Sequence, residues 1–191
     1  MSDPHDVDLP SAWLVRHAHL VAAGQHVLDV AAGRGRHARF LARRGARVTA
    51  VDRDAEALRS LAGEPRVTTV QADVEAGPWP FAATRFDAIV IVNYLHRPLL
   101  QTLRGAVAPG GVVVYETFMA GNEAFGRPTN PDFLLQPGEL LAWAATPPGL
   151  QVVAFEQGEV ATQGRRAVVQ RIVAAADAGS RHFPLAPPDA P

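Results

Sequence analysis

The fold is decided by the stretch Val27-Leu28-Asp29-Val30-Ala31-Ala32-Gly33-Arg34-Gly35-Arg36-His37-Ala38. Its first four residues predict a short buried strand, and the residues from Arg36 to Arg44 have the composition of a helix. Between them, Gly33 and Gly35 permit positive φ angles and a close approach of a ligand to the backbone. The stretch therefore predicts a ligand site at the carboxyl end of a strand, beside a helix N-terminus.

A second acidic strand end follows about twenty residues later, in Val48-Thr49-Ala50-Val51-Asp52. An acid in this place usually accepts hydrogen bonds from ribose hydroxyls. The turn Gly33-x-Gly35-x-x-Ala38 also satisfies the dinucleotide fingerprint, so the turn alone leaves a nicotinamide-dependent oxidoreductase open. Asp29 argues against that alternative, because a carboxylate before the turn would repel a pyrophosphate but suits a ligand with an ammonium and a sulfonium group.

The pattern Asp29-x-Ala31-x-Gly33-x-Gly35 resembles motif I of the class I S-adenosylmethionine-dependent methyltransferases, in which an acid precedes three alternate glycines. Ala31 departs from that motif, since the family usually has glycine there. The resemblance covers roughly residues 11–175. In overall size and in its short N-terminal helix, the chain is also loosely similar to the small bacterial tellurite-resistance-type methyltransferases. The further segments that match in order are Val67–Asp73, Phe86–Asn93, and Ala108–Gly111 followed by Val112–Glu116.

Strand and helix patterns alternate from residue 27 to residue 116, which predicts a parallel α/β sheet with right-handed crossovers. The resemblance implies a doubly wound, mostly parallel, seven-stranded sheet of order 3-2-1-4-5-7-6, with the last strand antiparallel and helices on both faces. We expect one domain over residues 1–176. Its parts are an N-terminal helix at 11–23, a substrate-side loop at 118–138 and closing strands at 150–160 and 167–175, with a proline-rich tail at 177–191.

The resemblance also implies a binding site for S-adenosylmethionine at the carboxyl ends of the strands. Asp52 would hold the ribose, and Asp73 would lie near the adenine amino group. The complete set of residues expected to bind the cofactor is Asp29, Ala31, Gly33, Gly35, Asp52, Arg53, Asp73, Val74 and Asn93.

Candidate catalytic residues lie after the fourth and fifth predicted strands. Methyl transfer is an in-line displacement, so alignment is the main task and no acid or base is obligatory. His96 is the first candidate for a general base, because histidine side chains are largely neutral near pH 7. Tyr94 could hold the substrate, and Glu116 could orient an amine or bind a substrate cation. The structural alternatives are a helix start for His96, packing for Tyr94 and an arginine partner for Glu116.

Composition excludes several kinds of chemistry. The chain has 191 residues and no cysteine, and all 18 of its basic residues are arginine. Thiolate nucleophiles, thiolate metal sites, disulfides and lysine Schiff bases are therefore excluded. The histidines show no metal-ligand spacing, so we expect no metal site. No apolar run approaches membrane-spanning length, and residues 1–10 do not resemble a signal peptide, which predicts a cytoplasmic protein without a membrane partner.

The acceptor class follows by exclusion. A net charge of −1 makes nucleic acid an unlikely partner. DNA methyltransferases that methylate amino groups have a Pro-Pro-aromatic motif after the fourth strand. The tetrapeptide from Asn93 to His96, which stands in that place, lacks this motif. We expect a small-molecule acceptor and a monomer or homodimer. Arg127, Thr129 and Asn130 could grip a polar substrate or simply form turns. A methyltransferase-like module that binds the cofactor without catalysis remains the other alternative.

Overall fold

The computed structural model describes residues 9–162, 165–176, 179 and 182–185. These residues form a seven-stranded sheet of order β3-β2-β1-β4-β5-β7-β6, which confirms the predicted order. Strands β1 to β5 pair in parallel, whereas β7 is antiparallel to both β5 and β6. The strands are β1 His26–Val30, β2 Arg47–Asp52, β3 Val67–Gln71, β4 Phe86–Val92, β5 Val107–Phe118, β6 Gln151–Thr162 and β7 Arg165–Ala175.

Helices cover both faces of this sheet, because the central strands are apolar on both sides. One buried cluster packs the sheet against the α4 and α5 side chains, including Leu103 and Leu140. The other cluster packs the opposite face against the first three helices through Trp13, Leu41 and Leu58. The helices are α1 Ala12–His17, α2 Arg36–Arg43, α3 Ala55–Arg59, α4 Leu100–Gly105 and α5 Glu139–Ala145.

Two predicted boundaries are wrong. The N-terminal helix, predicted over residues 11–23, is α-helical only from Ala12 to His17 and continues as one 3-10 turn to Leu20. Strand β5 begins at Val107 and includes Ala108–Gly111, the segment predicted to precede it. Gly110 has a φ of 73° there, and the β4–β5 register shifts between Phe86 and Ala88. The glycines therefore make an irregularity inside the strand instead of preceding it.

The long segment after β5 folds back on itself and is held at several points. The Ala120 N–H donates to the Leu135 carbonyl oxygen at 2.9 Å, and the Leu135 N–H donates to the Phe118 carbonyl oxygen at 3.0 Å. The Arg97 guanidinium donates to the Leu134 carbonyl oxygen at 2.8 Å and binds both carboxylate oxygens of Glu139. Leu134 and Leu135 are buried, so this segment has its own apolar anchor.

Of the predicted tail at 177–191, only residues 179 and 182–185 lie within the described part. Gly164, between the two closing strands, also lies outside the described part. No helix among the described residues is long and apolar enough to cross a membrane.

Candidate functional site

The turn between β1 and α2 is built from left-handed backbone. Ala31, Gly33 and Gly35 have φ angles of 52°, 53° and 77°. The Ala32 N–H between them donates to the Val51 carbonyl oxygen at 3.0 Å, which ties the turn to the end of β2. Ala31 is a non-glycine residue in a conformation that costs an L-residue about 1 kcal/mol, so the departure from the glycine motif carries strain.

The two glycines of the turn have different surroundings. A Cβ at Gly35 would lie 2.3 Å from a methyl carbon of Leu61, and Leu61 itself is buried. A Cβ at Gly33 would meet no described atom within 4 Å. Close packing therefore requires a glycine at position 35, whereas Gly33 leaves open space over the turn for a ligand.

Asp52, at the end of β2, organises the turn with both of its carboxylate oxygens. Its Oδ2 accepts the Gly33 N–H at 2.7 Å, and its Oδ1 accepts the Asp54 N–H at 2.9 Å. Each carboxylate oxygen has a second lone pair, so a ligand hydroxyl can still donate to it.

A cavity of about 200 Å³ opens beside the turn at the carboxyl ends of β1, β2 and β3. We call it the acidic cavity, because three carboxylates combine there with small apolar walls. Five of the nine residues predicted to bind the cofactor line it. Its lining residues are Ala31, Val51, Asp52, Arg53, Ala72, Asp73, Val74, Glu75 and Tyr94.

Asp73 follows β3 and is fixed by its own loop. Its Oδ1 accepts the N–H groups of Glu75 and Ala76 at 2.9 and 3.1 Å. These two hydrogen bonds lower the pKa of Asp73. The side chain is therefore an ionised acceptor at neutral pH and suits a ligand that offers N–H or O–H donors.

Of the three predicted catalytic residues, Tyr94 lines the acidic cavity, and His96 does not line it but lies close to its Glu75. The Tyr94 hydroxyl is buried and has no hydrogen-bond partner within the described chain. Burial, together with the nearby Glu75 carboxylate, raises the pKa of Tyr94. His96 Nδ1 lies 3.9 Å from Glu75 Oε2. Glu75 is thus near both predicted residues.

Glu116, the third predicted catalytic residue, lies in a different cavity of about 490 Å³. We call this the arginine cavity, because Arg36, Arg165 and Arg171 are among the residues that line it. Asn93, which was predicted to bind the cofactor, lines it as well. The cavity lies between the start of α1, the ends of β4 and β5, and the β6–β7 pair; its other lining residues are Leu9, Pro10, Ser11, Ala12, Val15, Phe118, Val160, Ala167 and Val169.

Glu116 holds the start of α1 in place. Its Oε1 accepts the Ser11 hydroxyl proton at 2.8 Å, while Ser11 Oγ caps the helix by accepting the Trp13 N–H at 3.1 Å. Its Oε2 accepts from Arg171 at 3.3 Å. The predicted arginine partner of Glu116 is therefore present, but it comes from β7. The loop residues Arg127, Thr129 and Asn130 line neither cavity, and Asn130 caps a 3-10 turn.

Asp29 lies behind the glycine turn and lines neither cavity, because its side chain points toward α2 and is 1% exposed. Its Oδ1 lies 3.9 Å from His37 Nδ1. Asp29 Oδ2 and His37 Nε2 are both buried without a partner among the described residues. Burial raises the pKa of Asp29 to about 7 and lowers the pKa of His37 to about 3.

Sequence reasoning missed residues in both cavities. Glu75 could have been found from its position two residues after Asp73, on the same short loop. Arg165 and Arg171 gave no signal, because only the long-range pairing of β7 with β5 and β6 brings them to the carboxyl end of β5. No group of three or more potential metal ligands occurs in the described parts of the chain.

Comparison with known proteins agrees with this geometry. Residues 27–111 match the model of a methyltransferase domain. The chain is 39% identical over 113 residues to a demethylmenaquinone methyltransferase of Clavibacter sepedonicus, covering 53% of this chain and 45% of that protein. It is 41% identical over 104 residues to an uncharacterised methyltransferase of Mycobacterium tuberculosis, covering 50% and 51%. The chain thus spans about half the length of the curated relatives that it matches.

The solved structure of TehB from Haemophilus influenzae has a similar fold. Its TM-score is 0.70 at 17% identity, and the match covers 85% of this chain and 61% of TehB. At that identity the likeness concerns the fold alone.

Proposed function

We propose that this chain, which carries a methyltransferase domain with the class I S-adenosylmethionine-dependent fold, transfers a methyl group from S-adenosylmethionine to a small-molecule acceptor. The observation that carries the proposal is the acidic cavity beside the glycine turn. Its carboxylates lie at the ends of neighbouring strands, and open space remains over Gly33.

The donor set of the acidic cavity fits the nucleoside part of this cofactor. Asp52 offers lone pairs to ribose hydroxyls, and the ionised Asp73 accepts from an amino group. Val51, Ala72 and Val74 supply apolar walls for a flat base. The partnerless Tyr94 hydroxyl is a further polar group that a ligand could satisfy.

When bound, S-adenosylmethionine supplies a methyl carbon activated by a positive sulfur. The protein's task is then to bind the acceptor in line and to exclude water. The arginine cavity suits this task, because Asn93 and Glu116 stand there at the ends of adjacent strands. Their backbones are joined, since the Asn93 N–H donates to the Glu116 carbonyl oxygen at 2.9 Å.

We assign separate roles to the three candidate catalytic residues. Glu116 would orient the acceptor, because it alone of the three lines the arginine cavity. Tyr94 would contact the cofactor from the acidic cavity. His96 would take a proton from the acceptor where the acceptor has one to lose, with Glu75 as its neighbour.

Isothermal titration calorimetry with S-adenosylhomocysteine tests the cofactor assignment, with NAD and NADP as parallel ligands. Micromolar binding of S-adenosylhomocysteine alone supports a methyltransferase. Binding of a nicotinamide cofactor instead would favour the oxidoreductase that the glycine turn also permits. Binding of S-adenosylhomocysteine without methyl transfer to any acceptor in a broad screen would favour a non-catalytic module.

A further inference from the structure

We propose that the arginine cavity binds an organic anion, so that the methyl acceptor is a small molecule with an apolar body and a carboxylate or phosphate group. This inference rests on the proposed function, because it names the acceptor of the same site. Pockets of this size, about 490 Å³, are typical of small-molecule sites.

Charge is the first argument. Three arginines, Arg36, Arg165 and Arg171, line the cavity with one glutamate, Glu116. The whole chain has a net charge of −1, so this excess of positive charge is local. Arginine binds carboxylate and phosphate groups in a bidentate manner that few other side chains can match.

The described carboxylates near the cavity do not compensate the charge of Arg36. Glu156 accepts from Arg171 Nε at 2.9 Å and from Arg16 Nη1 at 2.6 Å. These arginines hold the pKa of Glu156 below its usual value, although partial burial opposes them. Glu116 also shares Arg171. In this cluster Arg16 and Arg171 balance the two glutamates, and the charge of Arg36 is additional.

Arg36 is the best placed of these cations. Its Nη1 donates to the carbonyl oxygen of Leu9 at 3.2 Å, and this neutral partner leaves the guanidinium charge in place. Arg36 is the first residue of α2, directly after the glycine turn. It therefore lies at the boundary between the turn and the arginine cavity, where an acceptor must approach the cofactor.

Apolar side chains complete the cavity and argue against an inorganic ion. Leu9, Val15, Phe118, Val160 and Val169 line it together with the arginines. A compact inorganic anion would leave these walls in water, whereas an organic acid would cover them with its body. The combination points to a ligand that is anionic at one end and apolar at the other.

The experiment compares three probes of similar shape on the full chain: 3-phenylpropanoate, 2-phenylethyl phosphate and the neutral 3-phenylpropanamide. Their affinities are measured by ligand-observed NMR titration, with and without S-adenosylhomocysteine. We expect at least one anion to bind about tenfold more tightly than the amide, with a preference that weakens as salt rises. The affinities of 3-phenylpropanoate and 2-phenylethyl phosphate, compared with each other, show whether the cavity prefers a carboxylate or a phosphate.

Variants identify the residues responsible. Arg36→Met and Arg165→Met should each reduce the preference for the anion several-fold while leaving amide binding unchanged. The control is Arg59→Met, because the Arg59 side chain is 72% exposed and its nearest carboxylate is that of Glu56 on the same helix.

Equal affinities for anion and amide, or no binding of any probe, would overturn the proposal. It would also be overturned if Arg36→Met weakened S-adenosylhomocysteine binding and left the anion preference intact, since Arg36 would then serve the cofactor. Failure of S-adenosylhomocysteine to bind would instead contradict the proposed function. The preference for the anions over the amide would still be measurable in the titrations without S-adenosylhomocysteine.

Discussion

The Gly33 N–H donates a hydrogen bond of 2.7 Å to Asp52 Oδ2, which joins the turn after β1 to the end of β2. Asp52 thus has two roles, since it fixes the turn and lines the acidic cavity. A ligand bound in that cavity would contact a carboxylate that the protein has already oriented. Preorganisation of this kind reduces the entropy lost on binding.

Asp52→Ala should weaken S-adenosylhomocysteine binding about 10- to 100-fold, because a hydrogen bond to a charged group contributes about 1.5–3 kcal/mol. Asp52→Asn keeps an oxygen that can accept the Gly33 N–H. Its affinity for S-adenosylhomocysteine should therefore lie between those of the unsubstituted protein and Asp52→Ala. Calorimetry measures all three. Asp132→Ala is the control, since Asp132 is exposed and lines neither cavity. Unchanged affinity in Asp52→Ala would contradict the assignment of the cavity.

Ala31→Gly should stabilise the protein. Relief of the left-handed strain at Ala31 stabilises the folded protein by about 1 kcal/mol. The greater conformational freedom of glycine in the unfolded chain offsets roughly half of this stabilisation. Chemical denaturation should therefore show an increase of about 0.5 kcal/mol in the free energy of unfolding. Ala32→Gly is the matched control, because Ala32 has no positive φ, and it should lose about 1 kcal/mol. A loss of stability in both variants would show that Ala31 is not strained.

Alanine at the two turn glycines should have unequal effects. Gly35→Ala combines a positive φ with a contact of 2.3 Å to the buried Leu61, so we expect a loss of about 3 kcal/mol in the free energy of unfolding. Gly33→Ala meets no described atom and should lose only about 1 kcal/mol. Its new methyl group fills the open space over the turn, so S-adenosylhomocysteine affinity should still fall. Equal stabilities of the two variants would contradict the packing described at Gly35.

Asp29 and His37 should have opposing effects on pH-dependent stability. The raised pKa of Asp29, about 7, means that its contribution to stability is present at low pH and is lost as pH rises from about 4 to 7. The lowered pKa of His37, about 3, means that its contribution is present above pH 6.5 and is lost as pH falls toward 3. Between about pH 4 and 6.5 the two effects cancel, since unfolding leaves the number of protons on the pair unchanged.

Single variants should expose each of these opposing slopes. In His37→Gln, the free energy of unfolding should fall with rising pH between 4 and 6.5, by up to about 1.4 kcal/mol per pH unit. In Asp29→Asn it should rise with pH over the same range. Urea denaturation at several pH values measures both slopes relative to the unsubstituted protein. Slopes of the same sign in the two variants would be incompatible with a neutral buried pair.

The first half of the fold could be predicted because local signals mark it. The apolar runs of β1 and β2 are readable with Asp29 and Asp52 at or near their ends, Asp73 follows β3 by two residues, and the glycine turn marks the start of α2. The order of the sheet came from the family resemblance rather than from periodicity. The acidic cavity was therefore largely predictable, since its residues follow those strands directly in the sequence.

The arginine cavity was not predictable in the same way, because distant segments form it. Arg165 and Arg171 reach it through the antiparallel pairing of β7, and Leu9 reaches it from the other end of the described chain. The direction of the Asp29 side chain could not be predicted from the sequence either. Its place on β1 was clear from sequence, but which face of the strand it occupies depends on how α2 packs.

The contrast between the two cavities has an evolutionary consequence. The acidic cavity comes from residues 31–94, inside the segment that matches the methyltransferase domain model, whereas much of the arginine cavity comes from residues 9–15 and 160–171, outside it. No residue of those outer segments lines the acidic cavity, so substitutions among the lining residues of the arginine cavity there change no wall of the acidic cavity. Under the proposed function, a lineage could diversify its acceptors through the two outer segments while it inherits the cofactor site unchanged, and a protein engineer could do the same by grafting those segments between homologues.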